Sequence, residues 1–153
     1  MTVLSNEIVQ GAQAAEKTWG VPACIGLSQC ILESQGFKLM PVGSNNGLGV
    51  QALSGLPSVA APSFEYIHGV REPVVEHFAK FTSIADAFYE WGKLLATNPV
   101  YADAFAARDD WITFILRMAP HYATAPNYAA ILIEIVKANN LNQYNLSIAA
   151  KGT

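Results

Sequence analysis

The chain has 153 residues, a mass of 16.5 kDa and a formal net charge of −3. Its hydrophobic content of 52% against 14% charged residues excludes a disordered chain and is enough for a core without metal or disulfide support. The pI near 5.5 argues against nucleic acid as a partner, because nucleic acid selects basic surfaces. We therefore expect one folded domain, residues 1–153, that does not bind nucleic acid.

The N-terminus lacks a basic segment followed by an apolar one, and no apolar run reaches the roughly 18 residues of a membrane span. We expect synthesis in the cytoplasm without a signal peptide, and no membrane span. Cys24 and Cys30 fall on one predicted helix, roughly 9 Å apart along its axis, which is too far for a disulfide. We interpret them as small core residues.

The first two predicted elements are helices. Ser5 can cap the first, and Gly20 can end it. Its apolar residues recur at helical spacing, at Ile8, Ala12, Ala15 and Trp19. Pro22 suits the first position of the second helix, which has hardly any polar face and is expected to be buried, with Gly36 as its stop.

Glu33 lies at the end of this second helix. Burial and the negative end of the helix dipole both disfavour the ionised carboxylate, so the pKa of Glu33 is expected to be raised. A carboxyl group that is protonated near neutral pH can serve as a general acid. The residues alone leave open a second interpretation, an exposed glutamate at a frayed helix end.

A long irregular segment, 35–63, follows and is rich in Gly, Ser, Pro and Asn; we interpret it as one wall of a cleft. Residues 64–70 and 74–81 are aromatic and β-branched and predict a hairpin with its turn between His68 and Pro73. Glu65 then points to the face opposite Phe64 and Tyr66.

Helical spacing resumes after the hairpin. The expected boundaries are a capping box at Ser83 and Asp86, a break at Asn98-Pro99, a short helix over 101–107, a cap at Asp109, a stop at Pro120, a start at Pro126 and an end at Asn139-Asn140. Trp91 falls in a helical apolar stripe and is interpreted as core. For residues 141–153 the sequence predicts a polar tail of uncertain order. The pattern predicts a mainly helical (α+β) fold built around one buried helix, with a small β-hairpin, as in lysozyme-like proteins.

Three segments resemble bacterial N-acetylglucosaminidases of glycoside hydrolase family 73. The first is Gly20-Val-Pro with Leu27-Ser-Gln-Cys-Ile-Leu-Glu-Ser34, similar to a family helix that ends in Glu-Ser. The second, Asn45-Asn-Gly-Leu-Gly-Val-Gln51, is similar to the family's Asn-Asn-x-Phe-Gly-Ile-Lys. The third, 121–128, resembles its Tyr-Ala-Thr-Asp-Pro-x-Tyr segment. Gln51 and Ala125 depart from the pattern, and so does Gln35-Gly36-Phe37, where the family often has Gly-Trp-Gly.

The resemblance implies that Glu33 is the general acid and that a hairpin glutamate, best matched by Glu65, is the second carboxylate. Glu72 and Glu76 stay open for that role, and so does assistance by the substrate's own N-acetyl group. Tyr122 is expected to face the cleft and act in catalysis, although a core tyrosine fits its position too.

Asn45, Asn46 and Tyr128 are the expected substrate-binding residues. The asparagines can equally hold the loop through local turns, and Tyr128 also fits a core stripe. The three histidines have no ligand spacing with cysteines or acids, so no metal site and no cofactor are expected.

The implied activity is a peptidoglycan hydrolase that cuts the β-1,4 bond of the glycan strand on the N-acetylglucosamine side. A muramidase or a lytic transglycosylase fits the same features, and a non-catalytic glycan-binding module is a further alternative. A type VI secretion effector, with a periplasmic immunity protein occluding the active site, and a phage lysis enzyme are the expected settings. Either would act in the periplasm or cell wall of a target bacterium.

Overall fold

A computed structural model describes residues 3–53 and 55–146. The described elements are, in chain order, α1 (Asn6–Trp19), α2 (Ala23–Ser34), β1 (Ser58–Ile67), β2 (Val70–Ala79), α3 (Ile84–Thr97), a 3-10 turn (Pro99–Tyr101), α4 (Ala102–Ala106), α5 (Trp111–Tyr122), α6 (Tyr128–Asn139) and a second 3-10 turn (Leu141–Tyr144). The prediction of a mainly helical fold with one small hairpin is confirmed.

Helix α2 is the buried centre of this fold. Five of its apolar residues have no exposed surface: Ala23, Cys24, Ile25, Leu27 and Cys30. Helix α3 packs closely on it, since a Cβ added at Gly26 would lie 3.0 Å from the Phe88 ring and 3.1 Å from the Trp91 ring. Trp91 is fully buried, as predicted for a core residue.

The start of α2 is fixed by distant parts of the chain rather than by a local cap. Glu16 in α1 accepts a hydrogen bond from the Ala23 N–H at 3.0 Å, and Asn145 accepts one from the Cys24 N–H at 2.7 Å. These side chains satisfy two of the N–H groups that a helix start leaves without partners. The predicted polar tail is therefore wrong at its beginning, because Leu141 and Asn145 are buried; residues 147–153 lie outside the described part.

Both cysteines are buried and free, as predicted. Desolvation by burial raises the pKa of each thiol to about 12, so neither is a reactive thiolate near neutral pH.

The hairpin is longer than predicted, and its turn is tighter. Strands β1 and β2 pair antiparallel from Ser58 opposite Ala79 to Ile67 opposite Val70, so only His68 and Gly69 form the turn. Both turn residues have positive φ, 52° and 81°, as a two-residue hairpin turn of this kind requires. The predicted turn extended to Pro73, but a sheet of two strands has free outer edges that tolerate proline.

Several helix boundaries differ by one or two residues from the prediction. Asp110 rather than Asp109 caps α5, accepting from the Ile112 and Thr113 N–H groups. Pro120 does not stop this helix, which continues to Tyr122. The missing N–H removes only the bond to the Leu116 carbonyl, on a side of the helix where Leu116 is exposed and water can replace it.

The boundaries of α2 also shift, because Pro22 is its N-cap and Gln35, with a left-handed φ of 53°, is its C-cap in place of Gly36. The caps at Ser5, Gly20 and Ser83 and the break at Asn98 are confirmed. Within residues 3–53 and 55–146, no helix is long and apolar enough to cross a membrane.

Candidate active site

Glu33 stands at the last turn of α2 and faces a cleft. Its carboxyl group is open to solvent on the cleft side, while protein atoms surround most of the rest. The backbone of Gly49 passes directly over it, because a Cβ added there would lie 2.6 Å from Glu33 Oε2. Gly49 has a φ of +68°, which also favours glycine. Absence of a side chain at this position therefore makes room for the carboxyl group.

Ser34 joins the loop of Gly49 to α2. Its hydroxyl donates to the carbonyl of Gly47 at 2.8 Å and accepts from the Phe37 N–H at 2.8 Å. The Glu-Ser pair thus has two different uses in the structure. Glu33 faces the cleft, and Ser34 points inward and holds the neighbouring wall against the helix.

Asn46 holds the same loop from the inside. Its Oδ1 accepts from the N–H groups of Leu48 (3.3 Å) and Val50 (3.2 Å). Its Nδ2 donates to the carbonyls of Val50 (2.8 Å) and Ala79 (2.9 Å). The residue is only 2% exposed, and both of its amide protons are already used.

Asn45 is less enclosed than Asn46. It has a positive φ of 51°, and its Nδ2 donates to the Phe81 carbonyl at 3.1 Å. Asparagine tolerates this left-handed conformation better than most residues do. Asn45 therefore supports the bend of the loop and keeps a side-chain oxygen for which no hydrogen bond is described.

Tyr122 and Tyr128, from α5 and α6, stack with ring centroids 6.1 Å apart and planes 9° apart. The Tyr122 hydroxyl donates to the Leu48 carbonyl at 2.7 Å, and the Tyr128 hydroxyl donates to Glu33 Oε1 at 3.1 Å. Burial raises the pKa of both phenols well above the usual value, so both hydroxyls stay protonated. Residues from the three sequence segments that resemble the family therefore contact one another beside Glu33.

A buried chain of hydrogen bonds continues behind Tyr128. Gln29 Nε2 donates to the Tyr128 hydroxyl at 2.9 Å, and Trp91 Nε1 donates to Gln29 Oε1 at 2.8 Å. Sequence reasoning missed Gln29. The feature that could have indicated Gln29 is a long polar side chain that lies one turn before Glu33 in a mostly apolar helix.

The hairpin contributes acidic side chains opposite Glu33. Glu65 Oε2 accepts from the Thr124 hydroxyl at 2.5 Å, and that hydroxyl also accepts from the Tyr66 N–H at 2.9 Å. Glu76 is in hydrogen-bond contact with Glu65 and with Gln51. The buried Oε1 of Glu76 nevertheless has no hydrogen-bond donor. Contact between two carboxyl groups favours a proton on one of them, since two carboxylates can only accept.

The electrostatics of the acids follow from this geometry. Desolvation by burial raises the pKa of Glu33, the Tyr128 hydroxyl lowers it, and the negative charge of Glu65 raises it again, with a net rise. Desolvation and then the contact with Glu65 raise the pKa of Glu76 to about 7. Glu33 and the hairpin acids therefore interact across the cleft, as general acid chemistry with a second carboxylate requires.

Two cavities flank the hydrogen bond between Tyr128 and Glu33, since Glu33 lines one and Tyr128 lines the other. The first, of about 620 Å³, is lined by Glu33, Asn46 and Gly49 together with the start of β1. The second, of about 660 Å³, is lined by Glu65, Tyr122, Tyr128 and the turn after α5. Among the described lining residues there is no lysine or arginine. These linings suit a polar ligand better than an anionic one that needs charge pairing.

The structure thus brings five of the predicted residues together at the cleft: Glu33, Glu65, Tyr122, Tyr128 and Asn46. Asn45, the residue before Asn46 in the same loop, is not among the residues that line the two cavities. In the part of the chain that the structure describes, no three acidic, histidine or cysteine side chains are grouped as a metal site.

A helical domain with one small hairpin and a glutamate at the end of its central helix defines the lysozyme-like class. A model of the glucosaminidase family, described as mannosyl-glycoprotein endo-beta-N-acetylglucosaminidase, matches residues 9–141. The chain belongs to this family of glycoside hydrolases, and the predicted resemblance is confirmed.

Two individual relatives are similar to most of this chain. The chain is 29% identical over 134 residues to the peptidoglycan hydrolase FlgJ of Salmonella typhimurium, covering 82% of this chain and 42% of the relative. It is 28% identical over 148 residues to an autolysin of Enterococcus faecalis, covering 91% of this chain and 20% of that protein. The chain therefore spans less than half the length of both relatives.

The fold is similar to that of solved enzymes. A mutant of a peptidoglycan hydrolase from Sphingomonas sp. A1 superposes with a TM-score of 0.77 at 27% identity, covering 91% of this chain and 94% of that one.

Proposed function

We propose that this protein hydrolyses the glycan strand of peptidoglycan, at the β-1,4 bond on the N-acetylglucosamine side. The observation that carries the proposal is the Glu33 carboxyl, which Tyr128 holds at the edge of a cavity within a glucosaminidase-family fold. The names of the relatives, two peptidoglycan hydrolases and an autolysin, support the same substrate.

In this proposal Glu33 is the general acid. Its raised pKa keeps it protonated at a higher pH than an ordinary glutamate, so it can give its proton to the glycosidic oxygen. The bond from the anomeric carbon to that oxygen breaks, and the leaving sugar departs with a new hydroxyl group. Positive charge that develops on the remaining sugar needs a negative group nearby.

Glu65 is proposed as that second carboxylate. Thr124 donates to it and keeps its orientation, and Glu76 can share a proton with it while leaving one negative charge on the pair. Glu65 would act as a nucleophile at a separation of roughly 5 Å from the acid, or activate water at roughly 6.5–9.5 Å. It would only orient water or sugar if the N-acetyl group of the substrate assists.

The remaining predicted residues have supporting roles in this proposal. Tyr122 and Tyr128 stack beside Glu33, and their hydroxyls hold the Leu48 carbonyl and the Glu33 carboxyl at the cleft. Asn46 acts by holding the cleft wall, and Asn45 acts by supporting the bend of the same loop.

Analysis of the reaction products tests this proposal. Purified sacculi are digested, and the released muropeptides are identified by mass spectrometry. N-Acetylglucosamine at the reducing ends is expected. N-Acetylmuramic acid ends would instead identify a muramidase, and anhydro products a lytic transglycosylase. Binding to sacculi with no products would favour a glycan-binding module.

We further propose that the protein acts in the periplasm or cell wall of a target bacterium, as an effector of type VI secretion or as a phage lysis enzyme. The net charge of −3 favours the effector, because it gives no attraction to the anionic wall that a freely released enzyme can use. An effector needs an immunity protein that fits the Glu33 cleft. A pull-down from the producing bacterium is expected to recover one inhibitor, which Glu33→Arg no longer binds. Recovery of none would refute the effector role.

A further inference from the structure

Behind the Glu33 carboxyl, three hydrogen bonds run in one line through the core. They connect Trp91 Nε1 to Gln29 (2.8 Å), Gln29 to the Tyr128 hydroxyl (2.9 Å) and that hydroxyl to Glu33 Oε1 (3.1 Å). Trp91 and Gln29 are 0% exposed, and Tyr128 is 5% exposed. Water therefore does not compete for these bonds except at Glu33.

The chemistry of the four groups gives this line a direction. An indole N–H can only donate, so the oxygen of the Gln29 amide must face Trp91. The amide nitrogen then faces Tyr128 and can also only donate. The Tyr128 hydroxyl consequently accepts from Gln29, and its single proton is left for Glu33. The amide is thus oriented by its surroundings, with no free choice between its nitrogen and its oxygen.

We infer that Gln29 is a positioning residue that aims the Tyr128 proton at Glu33 and so fixes where the acid stands in the cleft. Gln29 is fully buried; its amide contacts both tyrosine hydroxyls, and it is connected to Glu33 through Tyr128. The inference deepens the proposed function, because it concerns the same acid. A buried donor chain of this kind is stronger than its separate bonds, since each bond polarises the next.

The hydrogen-bond chain also affects the proton affinity of the Glu33 carboxyl group. Burial raises the pKa of Glu33, whereas the Tyr128 hydroxyl lowers it by stabilising the carboxylate. Removal of the donor should therefore raise the pKa further. A hydrogen bond of ordinary strength corresponds to about half to one pH unit, or roughly a three- to tenfold change in proton affinity.

The test is a carbon-13 NMR titration of the Glu33 side-chain carboxyl, which needs no enzyme activity. The variants are Tyr128→Phe, Gln29→Met and the double variant, with the exposed Gln143→Met as the matched control. We expect the midpoint to rise by about half to one unit in Tyr128→Phe and by part of that in Gln29→Met. The double variant should match Tyr128→Phe alone, because the described hydrogen bond that links Gln29 to Glu33 runs through the Tyr128 hydroxyl. Gln143→Met should match the wild type.

A wild-type midpoint in Gln29→Met, or shifts that add in the double variant, would overturn the inference. If Gln29→Met does not fold, hydrogen exchange of the wild-type side-chain amides replaces it. The Gln29 amide protons should then exchange far more slowly than those of Gln143, and equal rates would overturn the inference.

The alkaline limb of the activity profile should move in the same direction as the NMR midpoint. A wild-type protein that cleaves no glycan would refute the proposed function while the titration still decides the role of Gln29.

Discussion

The two sides of the cleft carry their acidic groups in different ways. Glu33 ends a helix that is buried in the core, and its carboxyl group is reached by a hydrogen-bond chain that water does not enter. Glu65 and Glu76 stand on a two-stranded hairpin, where Thr124 and Gln51 are their neutral partners. In the proposed function, the helix side therefore provides the proton donor, and the hairpin side provides a negative charge that depends on pH.

On the hairpin side, the largest effect is expected from the variant Glu65→Gln. The amide cannot act as a base or nucleophile, so we expect a loss of roughly 10²–10⁴-fold in sacculus hydrolysis. Glu134→Gln is the matched control, because Glu134 is an exposed glutamate on α6, outside the hairpin. Wild-type activity in Glu65→Gln would remove Glu65 from the mechanism.

On the helix side, Gly49→Ala should misplace the acid. The added methyl group would meet Glu33 Oε2 at 2.6 Å, and a displacement of about 1 Å costs roughly 10²-fold in rate. Gly43→Ala is the matched control, since it has a similar φ of +77° but nothing within 4 Å. Both variants carry the same backbone strain, so a rate loss in Gly43→Ala as large as in Gly49→Ala would contradict a steric effect on Glu33.

The two asparagines of the loop should differ in stability. Asn46→Ala leaves buried N–H and carbonyl groups without partners and should lower the free energy of unfolding by about 3 kcal/mol. Asn45→Ala loses one partly buried bond and should cost about 1 kcal/mol. Chemical denaturation measures both values. The reverse order would show that Asn46 does not hold the wall.

Glu76 should make the stability of the protein depend on pH. Its pKa is about 7 in the folded protein against roughly 4.3 in the unfolded chain, so the folded state keeps the proton longer. Stability is therefore lost as pH rises from about 4.3 through 7. In Glu76→Gln this loss is absent, so its melting temperature relative to wild type should be higher at pH 8 than at pH 4. Glu72→Gln serves as the control, and a difference that does not change with pH would contradict the shared proton.

Much of the helix side could be predicted from the sequence, because its signals are local. The apolar run from Ala23 to Leu32 predicts a buried helix, and Glu33 at its end predicts an acid with a raised pKa. The resemblance to a family placed Tyr122 and Tyr128 beside it. The link from Trp91 to Gln29 could not be predicted, since these residues are 62 positions apart and meet only through the packing of α3 on α2.

The hairpin side was harder to predict for a physical reason. Its register depends on the turn, and a turn of two residues rather than six shifts every cross-strand partner. The register pairs Glu65 with Glu72 and Glu76 with Ala61, so the contact between Glu65 and Glu76 is not a cross-strand pair and could not be predicted from the strand pattern. Thr124, which orients Glu65, comes from the turn after α5, where no local pattern indicates a hairpin partner.

The most direct test of the central claim compares wild type and Glu33→Gln in the clearing of purified sacculi, with folding checked by circular dichroism. The amide keeps the shape of the side chain and can still accept from Tyr128, but it cannot give up a proton to the glycosidic oxygen. A loss of roughly 10²–10⁴-fold with an unchanged fold is expected. A Glu33→Gln variant that clears sacculi as fast as the wild type would show that Glu33 is not the general acid.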